Sequence, residues 1–125
     1  MLRLAVAFAF LAPALLAVVP AAQAADADAG LRVFKTQCSA CHAVIAGKNL
    51  VGPSLAGIIG RKAGVVEGFH YSAANKAADF IWDAAKLDPY LTNPKAVIPG
   101  TMMPYAGLKN DDQRADLIAY LGTLK

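Results

Sequence analysis

The chain has 125 residues, 57% of them apolar, with two cysteines and a formal charge of +3. That length allows one domain, the apolar share excludes a disordered chain, and two cysteines exclude a disulfide-rich scaffold. The basic excess falls far short of the clustered Lys and Arg that nucleic-acid binding requires.

Residues 1–24 carry one charge, Arg3, ahead of an apolar run from Leu4 to Val19, then Pro20 and the small-residue ending Ala22-Gln23-Ala24. This is the pattern of a secretory signal peptide cut after Ala24. Pro13 interrupts the run, which is short for a membrane span, and no cysteine stands at the cut to take a lipid. Residues 25–125 then form the mature domain, exported and soluble, and loss of Arg3 lowers the net charge from +3 to +2.

The spacing predicts an all-α domain with much ordered loop. A first helix runs from about Asp28 to Cys38, capped by Asp26 or Asp28, with Leu31, Phe34 and Cys38 on one face. Gly47, Gly52, Pro53, Gly57, Gly60, Gly64 and Gly68 then break up a stretch that cannot be a long helix. Ser72 caps a short helix reaching Asp79. Another spans Asp83 to Leu91 with Pro89 inside it, so it is expected to kink or to restart at Asp88, and Asn93-Pro94 ends it. Val97 to Leu108, with two prolines, two glycines and two methionines, reads as an ordered loop. A last helix runs from Asp111 to Leu124. Asn110 and Gln113 open it in the manner of a capping box, Asp111 and Asp112 suit its positive end, and Leu117, Tyr120, Leu121 and Leu124 form its apolar stripe. A domain this small and loop-rich buries few of its own side chains, so a further group is expected to complete the core.

Cys38-Ser39-Ala40-Cys41-His42 names that group. Two cysteines separated by two residues and followed by histidine form the attachment signature of c-type haem. The thiols bond the two vinyl groups, and the histidine lies next in the chain to reach the iron. A dithiol oxidoreductase would set its pair between a strand and a helix; here the pair ends a helix. A zinc site would need Cys38, Cys41, His42 and His70 together, without the usual second pair. A plain disulfide leaves His42 unexplained. For the other face of the iron, the candidates are His70, Met102 and Met103, with Tyr and Lys as rarer ligands. The stiff Pro99 to Pro104 loop favours a methionine, and adjacent residues point apart, so only one of the pair can ligate.

From Gly30 to Leu121 the sequence closely resembles the class I cytochromes c, especially the soluble bacterial carriers nearest the mitochondrial protein. The resemblance rests on Gly30 and Phe34, the Cys38–His42 motif, Gly52-Pro53, Gly60-Arg61-Lys62, Gly68-Phe69, Tyr71, Asn75, Trp82, Tyr90-Leu91, Asn93-Pro94-Lys95, Ile98-Pro99-Gly100-Thr101, Met103, Ala106-Gly107 and Asp116-Leu117-Ile118-Ala119-Tyr120-Leu121. It implies the class I cytochrome c fold, with the terminal helices packed together around one haem c. It implies His42 and Met103 as the iron ligands, and the Pro53 carbonyl as the acceptor that orients His42. It implies that Arg61, Tyr71, Trp82 and Thr101 hydrogen-bond around the haem propionates, and that Asn75 and Tyr90 tune the methionine side. It further implies a periplasmic one-electron carrier, not an enzyme, acting as a monomer. The donor would be a bc-type complex or a dehydrogenase, and the acceptor a terminal oxidase, a photosynthetic reaction centre or a reductase. The rival is a haem enzyme, such as a peroxidase, or a gas sensor, which needs a displaceable sixth ligand.

Gln37 and Met102 stand where many relatives carry lysine, and Pro104-Tyr105 and Pro89 are also unusual. With two ionised propionates counted, the holo domain is close to neutral, so steering by net charge is expected to be weak. Local charge from Arg32, Lys35, Lys48, Lys95 and Lys109 is expected around the haem edge.

Overall fold

Five helices organise residues 23–125, the part of the chain that the computed structural model describes: α1 (Ala27–Gln37), α2 (Ala73–Ala77), α3 (Ala84–Thr92), α4 (Pro94–Val97) and α5 (Asp111–Leu121). The signal-peptide segment lies outside the described residues except at its last two positions. Among the described residues there is no strand, only an isolated antiparallel bridge between Lys62 and Ile81.

Four of the helices start where a side chain takes over backbone N–H groups that have no partner within the helix. Asp26 accepts from the Asp28 and Ala29 amides at 2.8 and 3.3 Å. Ser72 accepts from Asn75 at 3.0 Å, Asp83 from Lys86 at 2.7 Å and Asn110 from Gln113 at 2.9 Å. The fifth, α4, has no side-chain cap and instead begins with Pro94, whose fixed φ suits a first turn.

Two expectations are corrected. Of the two outcomes expected at Pro89, the restart at Asp88 does not occur: α3 continues through it as one helix. The bond Pro89 forgoes is the one to Ala85, in the first turn, and both residues are exposed, so water can serve that carbonyl. Helix α5 stops at Leu121, not Leu124, because Gly122 and Thr123 turn the chain there, with Thr123 N–H donating to the Tyr120 carbonyl at 2.9 Å. The short helix α4 meets the expected loop only at Val97, so the loop itself runs from Ile98.

Helix α1 packs across α5. At the crossing, a Cβ on Gly30 would overlap the Asp116 backbone carbonyl, so only glycine lets the two backbones approach this closely. Phe34 stacks on Tyr120 with ring centroids 5.5 Å apart. The Asp26 amide donates to Asp116 Oδ1 at 2.7 Å, which ties the start of α1 to α5. Leu117 is 1% exposed, and burying a leucine side chain of this kind contributes about 2 kcal/mol. On the other side, Trp82 stands edge-on between Phe80 and Tyr90, with centroids 4.8 and 4.7 Å away. Its backbone is paired both ways: Trp82 N–H donates to Arg61 at 2.8 Å and Gly60 N–H donates to the Trp82 carbonyl at 2.7 Å. These two layers leave a cavity of about 730 Å³ between them, and every long loop contributes to its wall.

Candidate functional site

The cavity begins where α1 ends. Cys38 is the C-cap of α1, and its carbonyl accepts from the Cys41 and His42 amides at 3.0 and 2.9 Å. That tight turn brings Cys38, Cys41 and His42 onto one wall. Burial, and then the neighbouring Cys41, push the Cys38 thiol up to about 11. A redox-active dithiol needs the opposite, a thiol whose pKa is depressed. Among the described residues no three His, Cys, Asp or Glu side chains converge as a metal site, so the geometry does not support the zinc reading.

His42 is held from two directions. Its Nδ1 lies 2.8 Å from the Pro53 carbonyl, which fixes Nδ1 as the donor and leaves Nε2 with its lone pair free. Gly52 lies against the imidazole so closely that a Cβ there would overlap the ring. Burial lowers the His42 pKa, the Pro53 bond opposes this, and Arg61 adds to the lowering. The neutral ring is the form that ligates metal. The loop that carries Pro53 is fastened by Asn49 and Ser54. Asn49 accepts from the Ser54 amide and donates to the Glu67 carbonyl, both at 3.0 Å, and Ser54 Oγ donates to Ile45 at 2.7 Å.

The two adjacent methionines part company. Met103 is half-buried and packs against the core, with its sulfur 3.2 Å from the Tyr90 hydroxyl, which donates to it. Met102 is 64% exposed at the rim. The Met103 amide donates to Thr101 Oγ1 at 3.3 Å. Tyr90 titrates above its ordinary range, first because it is buried; its contacts with Thr101 and Asn75 partly offset that. Asn75 Oδ1 accepts from Ser72 Oγ at 2.7 Å, which orients the amide over the cavity.

Arg61, Tyr71, Trp82 and Thr101 all line the same space. Arg61 donates to the Ala56 carbonyl at 2.9 Å and forms no ion pair with a carboxylate among the described residues. Burial lowers its pKa. A half-buried guanidinium with donors to spare suits an anionic group brought in by a cofactor. Tyr71 Oη accepts from the Val66 amide at 3.3 Å and stacks edge-on against Phe69 at 4.8 Å.

The donor set therefore fits haem c: two thiols, an oriented imidazole and a thioether border one largely apolar cavity, with a cation at its wall. A cytochrome c family model matches residues 27–125. The chain belongs to the cytochrome c family. It is 54% identical over 101 residues to a cytochrome c2 iso-2 of Magnetospirillum molischianum, covering 81% of this chain and 100% of that one. It is 52% identical over 96 residues to a cytochrome c type-1 of Ascaris suum, covering 77% and 86%. It is 50% identical over 101 residues to a cytochrome c of Guizotia abyssinica, covering 80% and 91%. As a class I cytochrome c it carries haem c covalently on its paired cysteines, and it is an electron carrier that meets redox partners transiently.

Three further residues, to which the sequence assigned no role at the site, border this cytochrome's cavity. Phe69, Asn49 and Tyr105 line the wall, and Tyr105 Oη reaches Gln37 at 3.3 Å across the fold. Only tertiary folding brings these pairs together. Of the residues expected to carry local charge around the haem edge, none of Arg32, Lys35, Lys48, Lys95 and Lys109 lines the cavity wall itself. Its mouth is bordered instead by exposed apolar side chains, Leu50, Val51 and Met102.

Proposed function

We propose that this cytochrome is a periplasmic one-electron carrier with His42 and Met103 as the two iron ligands, cut from its signal peptide after Ala24 and acting as a monomer. The observation that carries the reading is that both border one cavity and each is fixed by a second contact: His42 Nδ1 is held by the Pro53 carbonyl, which leaves Nε2 free, and the Met103 sulfur is held by Tyr90. Bound haem c supplies the Fe(II)/Fe(III) couple. His42 and Met103 would hold the iron, and each is already fixed by a contact of its own, to Pro53 and to Tyr90. A thioether ligand and an apolar wall both disfavour the extra positive charge of the oxidised state, which sets a high potential. Arg61, Tyr71, Trp82 and Thr101, which line the same cavity, would hold the propionates, and their donors would keep those carboxylates ionised.

Electrons come from a bc-type complex or a dehydrogenase and go to a terminal oxidase, a reaction centre or a reductase. Docking is brief, through a small, wet interface at the apolar mouth. No helix among the described residues is long and apolar enough to cross a membrane. In the oxidised holo protein at neutral pH, the methionine-to-iron charge-transfer band tests the ligand pair: its presence is expected, and its absence overturns the reading. Amino-terminal sequencing of the exported protein is expected to begin at Ala25.

A further inference from the structure

The segment that carries Met103 is fastened at its far end by a buried arginine. Between α4 and α5 the chain crosses residues 98–110 without regular structure. Its first half turns on the Thr101 amide, which donates to Ile98 at 3.0 Å. The next anchor is Leu108, a buried residue bonded through both backbone groups. Its N–H donates to the Leu91 carbonyl at 2.7 Å, and its carbonyl accepts from Arg114 Nη1 at 3.0 Å. The Arg114 side chain is 8% exposed. Its Nε donates to Asp88 Oδ1 at 2.6 Å and its Nη2 to Asp111 Oδ1 at 2.8 Å. One guanidinium thus joins α3, the Met103 segment and the first turn of α5. Two residues beyond Asp88, Tyr90 reaches the Met103 sulfur. Beside this point Gly107 has φ +105°, and a Cβ there would enter the Thr92 carbonyl, so the segment lies flat on the end of α3. Lys109 Nζ donates to the same carbonyl.

We propose that Arg114 is a positioning residue for Met103: it closes the ligand-bearing segment onto α3, so that the Met103 sulfur stays at Tyr90. The inference rests on Met103 as the iron ligand. A buried guanidinium is retained here because three acceptors on three separate pieces of chain meet its fork. Removing it orphans the Leu108 carbonyl and leaves Asp88 without its partner, and both losses favour the opened segment. Opening exposes the sixth position without unfolding the α1–α5 pair, because Arg114 bonds neither α1 nor the Phe34–Tyr120 stack.

The test uses oxidised holo protein and imidazole as a competing iron ligand. Arg114→Met is compared with Phe34→Leu, a core change outside the cavity wall, at denaturant concentrations that match their global stability. For Arg114→Met the rate of imidazole binding is expected to rise about tenfold, and hydrogen exchange at the Leu108 amide about tenfold, the size expected for losing a charge-assisted bond. Phe34→Leu is expected to change neither. Should Arg114→Met fail to fold, Asp88→Asn removes one arm of the clamp and is expected to raise both rates by a smaller factor. Equal effects in Arg114→Met and Phe34→Leu, or exchange that rises without faster imidazole binding, would overturn the proposal. Failure of the ligand assignment shows separately, as a charge-transfer band that survives Met103→Ala.

Discussion

Two neighbouring sulfurs illustrate how little separates a cavity-facing residue from a surface one. Met102 and Met103 share a loop, a composition and a pair of flanking prolines. What differs is direction: one faces solvent, the other faces Tyr90 and the cavity. Met103→Ala is therefore expected to abolish the charge-transfer band and lower the reduction potential sharply. Met102→Lys is expected to leave both nearly unchanged, and optical spectra with redox titration check the pair. At this scale the Cys38–His42 motif was fully legible, because its spacing is set by the covalent chemistry it performs. The choice between the methionines was not legible from spacing; it came only with the family resemblance. The Arg114 clamp was invisible as well, since a lone arginine in an amphipathic helix gives no sign that it is buried or that it reaches Asp88 and Leu108.

At the scale of elements, the helix starts were the readable part. Asp26, Ser72, Asp83 and Asn110 cap four helices through their own side chains, and a cap is a local signal that tertiary context seldom overrides. Helix ends were less legible. The apolar stripe of α5 continues to Leu124, which still packs on the core, although the helix has already ended at Leu121. A helix of four residues, α4, shows no periodicity, and the Lys62–Ile81 bridge has no alternation around it, so neither announces itself in the sequence. The α1–α5 pair is the element the fold depends on most. Leu117→Ala, at its centre, is expected to cost roughly 2–5 kcal/mol of unfolding free energy, measured by denaturant titration of the holo protein. The same change is expected to leave the charge-transfer band in place under native conditions.

For the whole molecule, the chain of 125 residues with +3 charge and 57% apolar content resolves into two unlike parts. An apolar segment, proposed above as the export signal, precedes a domain of ordinary polarity whose core is one cluster built around a cavity. A core hollowed by a cavity of this size depends on its cofactor for cohesion. Cys38→Ala combined with Cys41→Ala is expected to prevent haem attachment and leave the chain largely unfolded, read as loss of helical far-ultraviolet circular dichroism. With the segment before Ala25 removed, as proposed, and two ionised propionates added, the holo domain would be near neutral; its mouth holds Leu50, Val51 and Met102, with Val51 71% exposed, and no lysine lies in the cavity wall. Electron transfer to membrane complexes is therefore expected to depend only weakly on ionic strength, in contrast to the steep fall of electrostatically steered association. Stopped-flow rates between low and physiological salt check this.

In the proposed carrier, Met103 would fill the sixth position of the iron and keep it filled. Mixing the untreated reduced protein with carbon monoxide at neutral pH tests that claim most directly. Binding is expected to be slow and incomplete, limited by departure of the Met103 sulfur from Tyr90 and the cavity. Rapid, stoichiometric binding would contradict the account, because it would mean an open iron site suited to a haem enzyme or gas sensor.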